Sequence, residues 1–231
     1  MLTSEPIVRV ENLTRIFETE LGKIFLFGGL CAEIEEGDFA AITGPTGVGK
    51  TTLINIIAGL EAPSGGKVTV LGNDVTLMND PSMTEFRGRH IGMVFQESRL
   101  LSNVSVFENV ELPLVIQGAK ESERIRRTGE ILEFFGLTRK AYDYPTALSA
   151  GENKKVAIAR ALVTEPSLLL MDEPTGSLDA SAVNVLAPLL RGIHYFQKGT
   201  IVMATNSLSL ARMASREIPI VRPRIMMASQ S

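Results

Sequence analysis

The chain has 231 residues, of which 45% are hydrophobic and 21% are charged, and its formal net charge is −3. This composition predicts a globular protein with a sizeable core, and the lack of a basic excess argues against a nucleic-acid partner. The single cysteine, Cys31, excludes an internal disulfide and is predicted to be a buried thiol on a strand. We expect no signal peptide, and no apolar stretch is long enough to span a bilayer. A membrane role would therefore depend on a partner.

Hydrophobic patterning along the chain predicts an α/β fold. The early segments Glu11–Thr19 and Cys31–Asp38 alternate in polarity, as strands of a half-exposed antiparallel sheet do. Nearly continuous apolar runs predict buried parallel strands at Phe39–Thr43, Ile91–Phe95, Leu168–Asp172 and Thr200–Thr205. Helical periodicity occurs in Lys50–Ala58, Glu121–Phe135, Gly151–Val163 and Ala180–Phe196. From Gln96 to about Leu148 the strand pattern disappears, which predicts an inserted helical subdomain.

A glycine-rich loop links the first buried strand to the helix that starts at Lys50. The segment Gly44–Thr51 fits the pattern GxxxxGK[ST] in the required strand–loop–helix context. Backbone N–H groups of such a loop cradle phosphates, the lysine reaches the outer phosphates, and the hydroxyl of Thr51 can bind Mg²⁺. The sequence therefore predicts a nucleoside triphosphate site formed by Gly44, Pro45, Thr46, Gly47, Val48, Gly49, Lys50, Thr51 and Thr52.

The segment LLLMDEP supplies carboxylates that fit the same site. Its apolar residues carry Asp172 to the carboxyl end of a buried strand, where ligand sites of α/β proteins open. There Asp172 can hold the magnesium ion. The next residue, Glu173, can act as the general base for an attacking water molecule.

A second phosphate-type helix start lies at Leu148–Leu162. Ser149 can cap this helix, and Ala150 and Gly151 leave its first N–H groups accessible to an anion. One nucleotide pocket cannot easily use two such helix starts that lie far apart in the chain. The second one is therefore predicted to serve the nucleotide of another subunit.

The stretch LSAGE at Leu148–Glu152, shortly before LLLMDEP, resembles the LSGGQ signature of ABC-type ATPases. The resemblance extends from about Val8 to Val221. It implies a P-loop NTPase core with a mainly parallel sheet, an N-terminal antiparallel β subdomain and an inserted helical subdomain. The chain would be one domain, with the α/β core at 1–96 and 149–231 and the helical subdomain at about 97–148. In this family the signature of one protomer closes over the ATP of the other in a head-to-tail dimer.

The resemblance also implies roles for single residues. Phe17 is placed like the aromatic residue that stacks on adenine, and Gln96 like the glutamine that reaches Mg²⁺ and the water molecule. Asp179, in GSLD, would face the opposite site. The signature residues implied to contact nucleotide are Ser149, Gly151 and Glu152.

Finer features resemble the subfamily of MacB, LolD and FtsE, on the stretch that begins GRHIGMVFQES and on DEPTGSLD. These ATPases dimerise beneath permeases at the cytoplasmic face of the inner membrane. The resemblance implies an Mg²⁺-dependent ATPase, a homodimer and an integral membrane permease as partner. Lipoprotein release, efflux and cell-division control remain open as the process.

Two residues depart from the family pattern. Ala150 replaces the first signature glycine, and Asn206 replaces the histidine that follows the strand ending near Thr205. Binding of ATP should survive, whereas turnover is expected to be slow because of Asn206. Asn153, Lys154 and Lys155 are predicted to form a solvated helix face.

These departures keep other functions open. The chain could be a low-turnover, ATP-dependent regulatory clamp or a soluble ABC ATPase outside transport. The second is disfavoured because the chain has no heptad run and no basic patch. A phosphoryl-transfer kinase would leave the signature unexplained.

Overall fold

The computed structural model describes residues 5–19, 22–176, 180–197 and 199–221. The strands are β1 (Val8–Thr19), β2 (Gly22–Ile34), β3 (Phe39–Thr43), β4 (Gly65–Val70), β5 (Asn73–Asp74), β6 (Ile91–Val94), β7 (Leu168–Asp172), β8 (Thr200–Ala204) and β9 (Arg216–Pro219). The helices are α1 (Lys50–Ile57), α2 (Asp80–His90), α3 (Val106–Ile116), α4 (Glu121–Phe134), α5 (Ala150–Leu162), α6 (Ala180–Gln197) and α7 (Leu208–Ala211).

A five-stranded parallel sheet, in the order β6-β7-β8-β3-β9, forms the centre of the fold. Every residue of β7 and β8 is buried, as are all but the last residue of β3. Strands covered on both faces need apolar side chains on both, which explains their continuous hydrophobic runs. Because parallel strands end at the same edge, the residues after β3, β7 and β8 are brought together there.

The second sheet is antiparallel, in the order β2-β1-β4-β5. Helix α1 buries Leu53, Ile54, Ile56 and Ile57 in a core cluster that includes residues of both sheets. The two sheets and α1 therefore share one core, which fixes the start of α1 at the edge of the parallel sheet. Cys31 lies on a strand, β2, as predicted, but the prediction of a buried thiol is wrong. Its side chain is exposed, and its Sγ accepts a hydrogen bond from the backbone N–H of Asn12 at 3.3 Å.

Helices occupy the chain between β6 and β7, as predicted. They are α3, α4, two short 3₁₀ turns (Thr138–Lys140 and Pro145–Ala147) and α5. A second core cluster joins them to the face of the parallel sheet opposite the first cluster. Its members include Val106, Val110, Leu114, Leu132, Val156, Ile158 and Met171. The predicted fold class is confirmed, whereas the subdomain limits near 97 and 148 stay a prediction. Among the described residues, no helix is long and apolar enough to cross a membrane.

Candidate nucleotide-binding site

The loop between β3 and α1 depends on glycine at two positions. Gly44 has a φ of +146°, and a Cβ there would lie 2.4 Å from the carbonyl oxygen of Ile220. Gly49, the residue before α1, has a φ of +105°, and a Cβ there would lie 2.8 Å from the Phe27 ring. Backbone strain and steric overlap both exclude larger residues, so the glycines allow the tight turn that places the N-terminus of α1 at the site.

Lys50, the first residue of α1, is nearly enclosed, with a relative exposure of 6%. Its Nζ donates hydrogen bonds to the carbonyl oxygens of Gly44 at 3.0 Å and Pro45 at 3.3 Å, and to Oδ1 of Asn206 at 2.7 Å. Three acceptors match the three N–H donors of an ammonium group. The side chain is therefore held in one position beside the loop, from which phosphate oxygens can replace neutral acceptors.

Thr51 and Asp172 bring a hydroxyl and a carboxylate together. Thr51 Oγ1 donates to Asp172 Oδ1 at 2.9 Å, which links α1 to the end of β7. Burial raises the pKa of Asp172, while this hydrogen bond and the charges of Lys50 and Lys154 oppose the increase. A bound cation would favour the ionised carboxylate still more.

This oxygen pair fits Mg²⁺ in type and number. The described residues contain no group of three or more His, Cys, Asp and Glu side chains that could hold a metal ion. Mg²⁺ commonly uses only one or two protein ligands, because substrate phosphates and water molecules complete its shell. The amide oxygen of Gln96, which lines the same cavity, is a third suitable donor.

Glu173 is held at the end of β7 in a left-handed backbone conformation, with a φ of +42°. This conformation is unfavourable for glutamate and is retained here because its N–H donates to the Ala204 carbonyl at 2.9 Å. Its Oε2 accepts from the backbone N–H of Asn206 at 3.1 Å. Its other oxygen, Oε1, is buried without a hydrogen-bond partner and lies 3.7 Å from Lys50 Nζ. One carboxylate oxygen is thus fixed by a backbone N–H, and the other faces the charge of Lys50 without a hydrogen bond.

The side chains of Lys50, Thr51, Gln96, Glu173 and Asn206 line one cavity of about 650 Å³, whereas Asp172 is outside its lining and is linked to it through the hydrogen bond from Thr51. The predicted residues in its lining are Thr46, Gly47, Gly49, Lys50, Thr51, Thr52, Gln96, Glu173 and Asn206. Sequence reasoning missed other lining residues, namely Leu26, Thr175, Gly176, Val183 and Ser207. Leu26 lies on β2, and only the packing of that strand against the loop at Gly49 brings it to the site.

Several predicted residues lie outside this lining. Gly44, Pro45 and Val48 belong to the loop and shape it from behind. Phe17 lies on β1 with 37% of its surface exposed, and the guanidinium of Arg15 stacks over its ring at 4.4 Å. An adenine on Phe17 would extend out of the cavity, so this role stays a prediction. Asp179 lies outside the described residues.

The signature segment forms the predicted helix start, away from the cavity. Ser149 caps α5: its Oγ accepts from the N–H of Glu152, and Glu152 Oε2 accepts from both the N–H and the Oγ–H of Ser149. The other oxygen of Glu152 forms a 2.6 Å ion pair with Lys140. The hydrogen bonds from Lys140 and Ser149 lower the pKa of Glu152 to about 2. Ser149 and Ala150 are exposed and do not line the cavity around Lys50.

The prediction of a solvated face at 153–155 is wrong for Lys154, which has a relative exposure of 1%. Its Nζ donates to the carbonyl oxygens of Phe95 at 3.0 Å and Gln96 at 2.7 Å. Burial lowers the pKa of Lys154, and the charge of Asp172 opposes the decrease. The inward direction of this side chain depends on carbonyl groups far away in the sequence, so the charge pattern alone could not reveal it.

Comparison with known proteins agrees with this geometry. The profile of the ABC transporter family matches residues 27–176. The chain belongs to the ABC transporter family. It is 37% identical over 222 residues to the lipoprotein-releasing system ATP-binding protein LolD of Chromohalobacter salexigens, covering 96% of this chain and 94% of that protein. It is 36% identical to the methionine import ATP-binding protein MetN of Cutibacterium acnes, covering 91% of this chain and 58% of the relative.

Solved ABC cassettes have the same fold. A dimeric ATP-binding cassette in a post-hydrolysis state, bound to ADP and phosphate, superposes with a TM-score of 0.85 at 34% identity, over 92% of this chain and 94% of that one. The predicted recognition of an ABC ATPase and its fold class are therefore confirmed. The chain is an ATP-binding subunit of the ABC transporter type, and its activity is hydrolysis of ATP.

Proposed function

We propose that this chain works as a head-to-tail dimer that hydrolyses Mg²⁺-ATP and drives a membrane permease. The observation that carries the proposal is the position of Glu173, which lines one cavity with Lys50 and with Thr51, the partner of Asp172. A phosphate-binding loop, a cation site and a carboxylate base are the three parts that hydrolysis of a phosphoanhydride requires.

The phosphates would be bound by the N–H groups of the Gly44–Thr51 loop and by Lys50. Thr51, Asp172 and Gln96 would hold Mg²⁺, which would supply positive charge to the phosphate oxygens. Lys50 is already positioned by neutral acceptors, so binding of ATP exchanges some of them for charged oxygens rather than ordering a free side chain.

Glu173 is proposed to take a proton from the attacking water molecule. Its Oε2 is fixed by the backbone N–H of Asn206, so Oε1 has a defined position. Asn206 would contact the terminal phosphate through its amide, with a shorter reach than histidine. We therefore propose that the chemical step is slow.

The dimer would complete each site from outside. Ser149 and Ala150 are exposed at the N-terminus of α5, a position that favours an anion and that the chain's own cavity does not use. Ser149, Gly151 and Glu152 would meet the nucleotide of the partner, and Asp179 would face the opposite site. Two identical chains are proposed, because each chain carries both halves of such an interface.

The permease would dock on an exposed apolar surface of the helical region, formed by Leu101, Phe107 and Tyr142. Leu101 is 44% exposed, and the side chain of buried Asn109 bonds both its N–H and its carbonyl oxygen. Tyr142 is 84% exposed and stacks on Phe107. Leu101 and Phe107 follow Gln96 closely in the chain, so contact there can affect the nucleotide site. Docking would hold the ATPase at the cytoplasmic face of the inner membrane; lipoprotein release, efflux and cell-division control are the candidate processes.

The test is the Glu173→Gln variant, which removes the base and retains the shape of the side chain. We expect hydrolysis to fall by about 10²–10⁴-fold, the usual contribution of a positioned base. Size-exclusion chromatography should then show a dimer with Mg²⁺-ATP and a monomer without nucleotide. Adding Ser149→Arg should abolish this dimer, because the longer side chain would fill the space for the partner's phosphate.

A Glu173→Gln variant that stays monomeric at saturating Mg²⁺-ATP would contradict the dimer. The presence of Asn206 favours a second candidate, a low-turnover regulatory clamp. The clamp would be indicated if the unmodified protein dimerises with ATP and still hydrolyses no faster than Glu173→Gln, with or without a permease.

A further inference from the structure

Two cationic side chains of α5 hold the segment that carries Gln96. Lys154 Nζ donates to the carbonyl oxygens of Phe95 and Gln96 at 3.0 and 2.7 Å. Arg160 donates to the carbonyl oxygens of Ser98 and Arg99, both at 2.9 Å. The two cations are six residues apart on α5, or about 9 Å along the helix axis. They therefore bind both ends of the Phe95–Arg99 segment.

The burial of Lys154 indicates that its ammonium group has a role besides packing. Its relative exposure is 1%, and among the described residues its Nζ contacts only the two carbonyl oxygens. Burial of an ammonium group is unfavourable, the charge of Asp172 offsets only part of this effect, and an apolar side chain of the same length would avoid it. The ammonium group is thus retained where it fixes two backbone carbonyls.

The position of Gln96 depends on these hydrogen bonds because few other contacts hold it. Its side chain is exposed and reaches the cavity from a segment without regular secondary structure. Arg99 has a left-handed backbone, with a φ of +45°, and its guanidinium stacks on Phe95 at 4.3 Å. The segment is therefore sharply turned, and the bonds from α5 determine where Gln96 lies.

We propose that Lys154 is a positioning residue for hydrolysis: with Arg160, it fastens Gln96 to the helix that begins at the signature. The proposal rests on the function proposed above for Gln96 and Ser149. Lys154 lies five residues after Ser149 on the same helix. A shift of Ser149 against the partner's nucleotide would thus be passed through α5 to Gln96 in the chain's own site.

The experiment compares Lys154→Met with Lys155→Met in the full-length protein. Lys155 is the matched control, because it is the next residue of the same helix and has no hydrogen bond or ion pair with a described residue. For Lys154→Met we expect kcat to fall about 10–100-fold, as is usual when a residue that orients a metal ligand is lost. The KM for ATP should change by less than about threefold. Methionine fills nearly the same volume and removes a buried charge, which offsets the loss of two hydrogen bonds, so we expect little change in Tm. Lys154→Gln, which keeps an N–H donor, should recover part of kcat.

A double-mutant cycle with Gln96→Ala separates positioning from a structural role. If Lys154 acts through Gln96, the double variant should be no slower than Gln96→Ala alone. The proposal would be overturned if the losses of kcat in the two single variants multiply in the double variant, or if Lys154→Met lowers the Tm and leaves kcat unchanged. Should Lys154→Met fail to fold, the same cycle with Lys154→Gln decides. If Gln96→Ala itself hydrolyses ATP like the unmodified protein, the function assigned to Gln96 fails first and the proposal with it.

Discussion

Asn206 links the two charged groups of the site and is the sharpest place to perturb it. Its Oδ1 accepts from Lys50 at 2.7 Å, and its backbone N–H donates to Glu173. Asn206→Asp keeps the shape of the side chain and changes a neutral acceptor into a carboxylate. We expect this variant to fold normally and to bind ATP much more weakly.

The magnitude follows from the surroundings of Lys50. An ion pair at hydrogen-bond distance would replace a neutral contact to a lysine that is only 6% exposed. The positive charge offered to phosphate would then be largely cancelled. Two unit charges about 4 Å apart interact by about 4 kcal/mol at an effective dielectric constant of about 20. A net loss of about 2–4 kcal/mol corresponds to a Kd that is about 30- to 700-fold higher.

The assay is calorimetric titration with Mg²⁺-ATP in the Glu173→Gln background, where turnover does not disturb the heat signal. Asn206→Ala is the matched control: it removes the same acceptor without adding charge, so its affinity should change by about tenfold at most. Equal affinities for Asn206→Asp and its parent, with unchanged circular dichroism, would refute the assignment of Lys50 as the phosphate-binding cation. Equal losses of ATP affinity in Asn206→Asp and Asn206→Ala would show that the hydrogen bond to Lys50 matters and the added charge does not.

Two further predictions concern turnover and docking. Asn206→His should raise kcat by about 10²-fold with nearly unchanged KM, because one added hydrogen-bond donor in the transition state usually has an effect of this size. The assay is steady-state phosphate release at matched dimer occupancy, and equal rates would mean that asparagine already makes the contact. Leu101→Glu should abolish co-purification with the permease and leave the basal ATPase rate within about twofold of that of the unmodified protein. Full co-purification of this variant would exclude the surface as the docking site.

The buried parts of the fold were the most predictable from sequence. Strands β3, β7 and β8 have continuous apolar runs because both of their faces are covered, and such runs have few other interpretations in a short segment. The start of α5 was predictable because Ser149 and Glu152 form a capping box within four residues. Signals of this kind are local, so they survive without knowledge of tertiary structure.

Elements with weak local signals were not predicted. Helix α2 buries only Met83, so it lacks an apolar stripe; its signals were Asn79, whose side chain caps the helix, and the proline that follows Asp80. Strand β9 has only four residues and is defined by its parallel pairing with β3. For such elements the tertiary contacts decide the structure, and periodicity carries little information.

Charge was the least reliable guide at the site. Lysine is usually exposed, which led to the wrong prediction for Lys154. The structure buries it because the carbonyl groups of Phe95 and Gln96, nearly sixty residues earlier, supply acceptors inside the fold. Glu173 was predicted from its motif, but its left-handed backbone and the position of its carboxylate depend on contacts with Ala204, Asn206 and Lys50.

The site combines a part fixed by steric contact with a part adjusted by hydrogen bonds. Gly44 and Gly49 cannot carry a Cβ without meeting Ile220 or Phe27, so the phosphate loop has one possible shape. Around it, Asn206 and Lys154 act through hydrogen bonds to Lys50, Glu173, Phe95 and Gln96. Changes at the glycines destroy binding, whereas changes at Asn206 or Lys154 that add no negative charge mainly alter the position of Glu173 or Gln96. Because catalysis responds to such shifts more strongly than ground-state binding does, the distinctive residues of this chain should set its rate of hydrolysis and leave its affinity for ATP nearly unchanged.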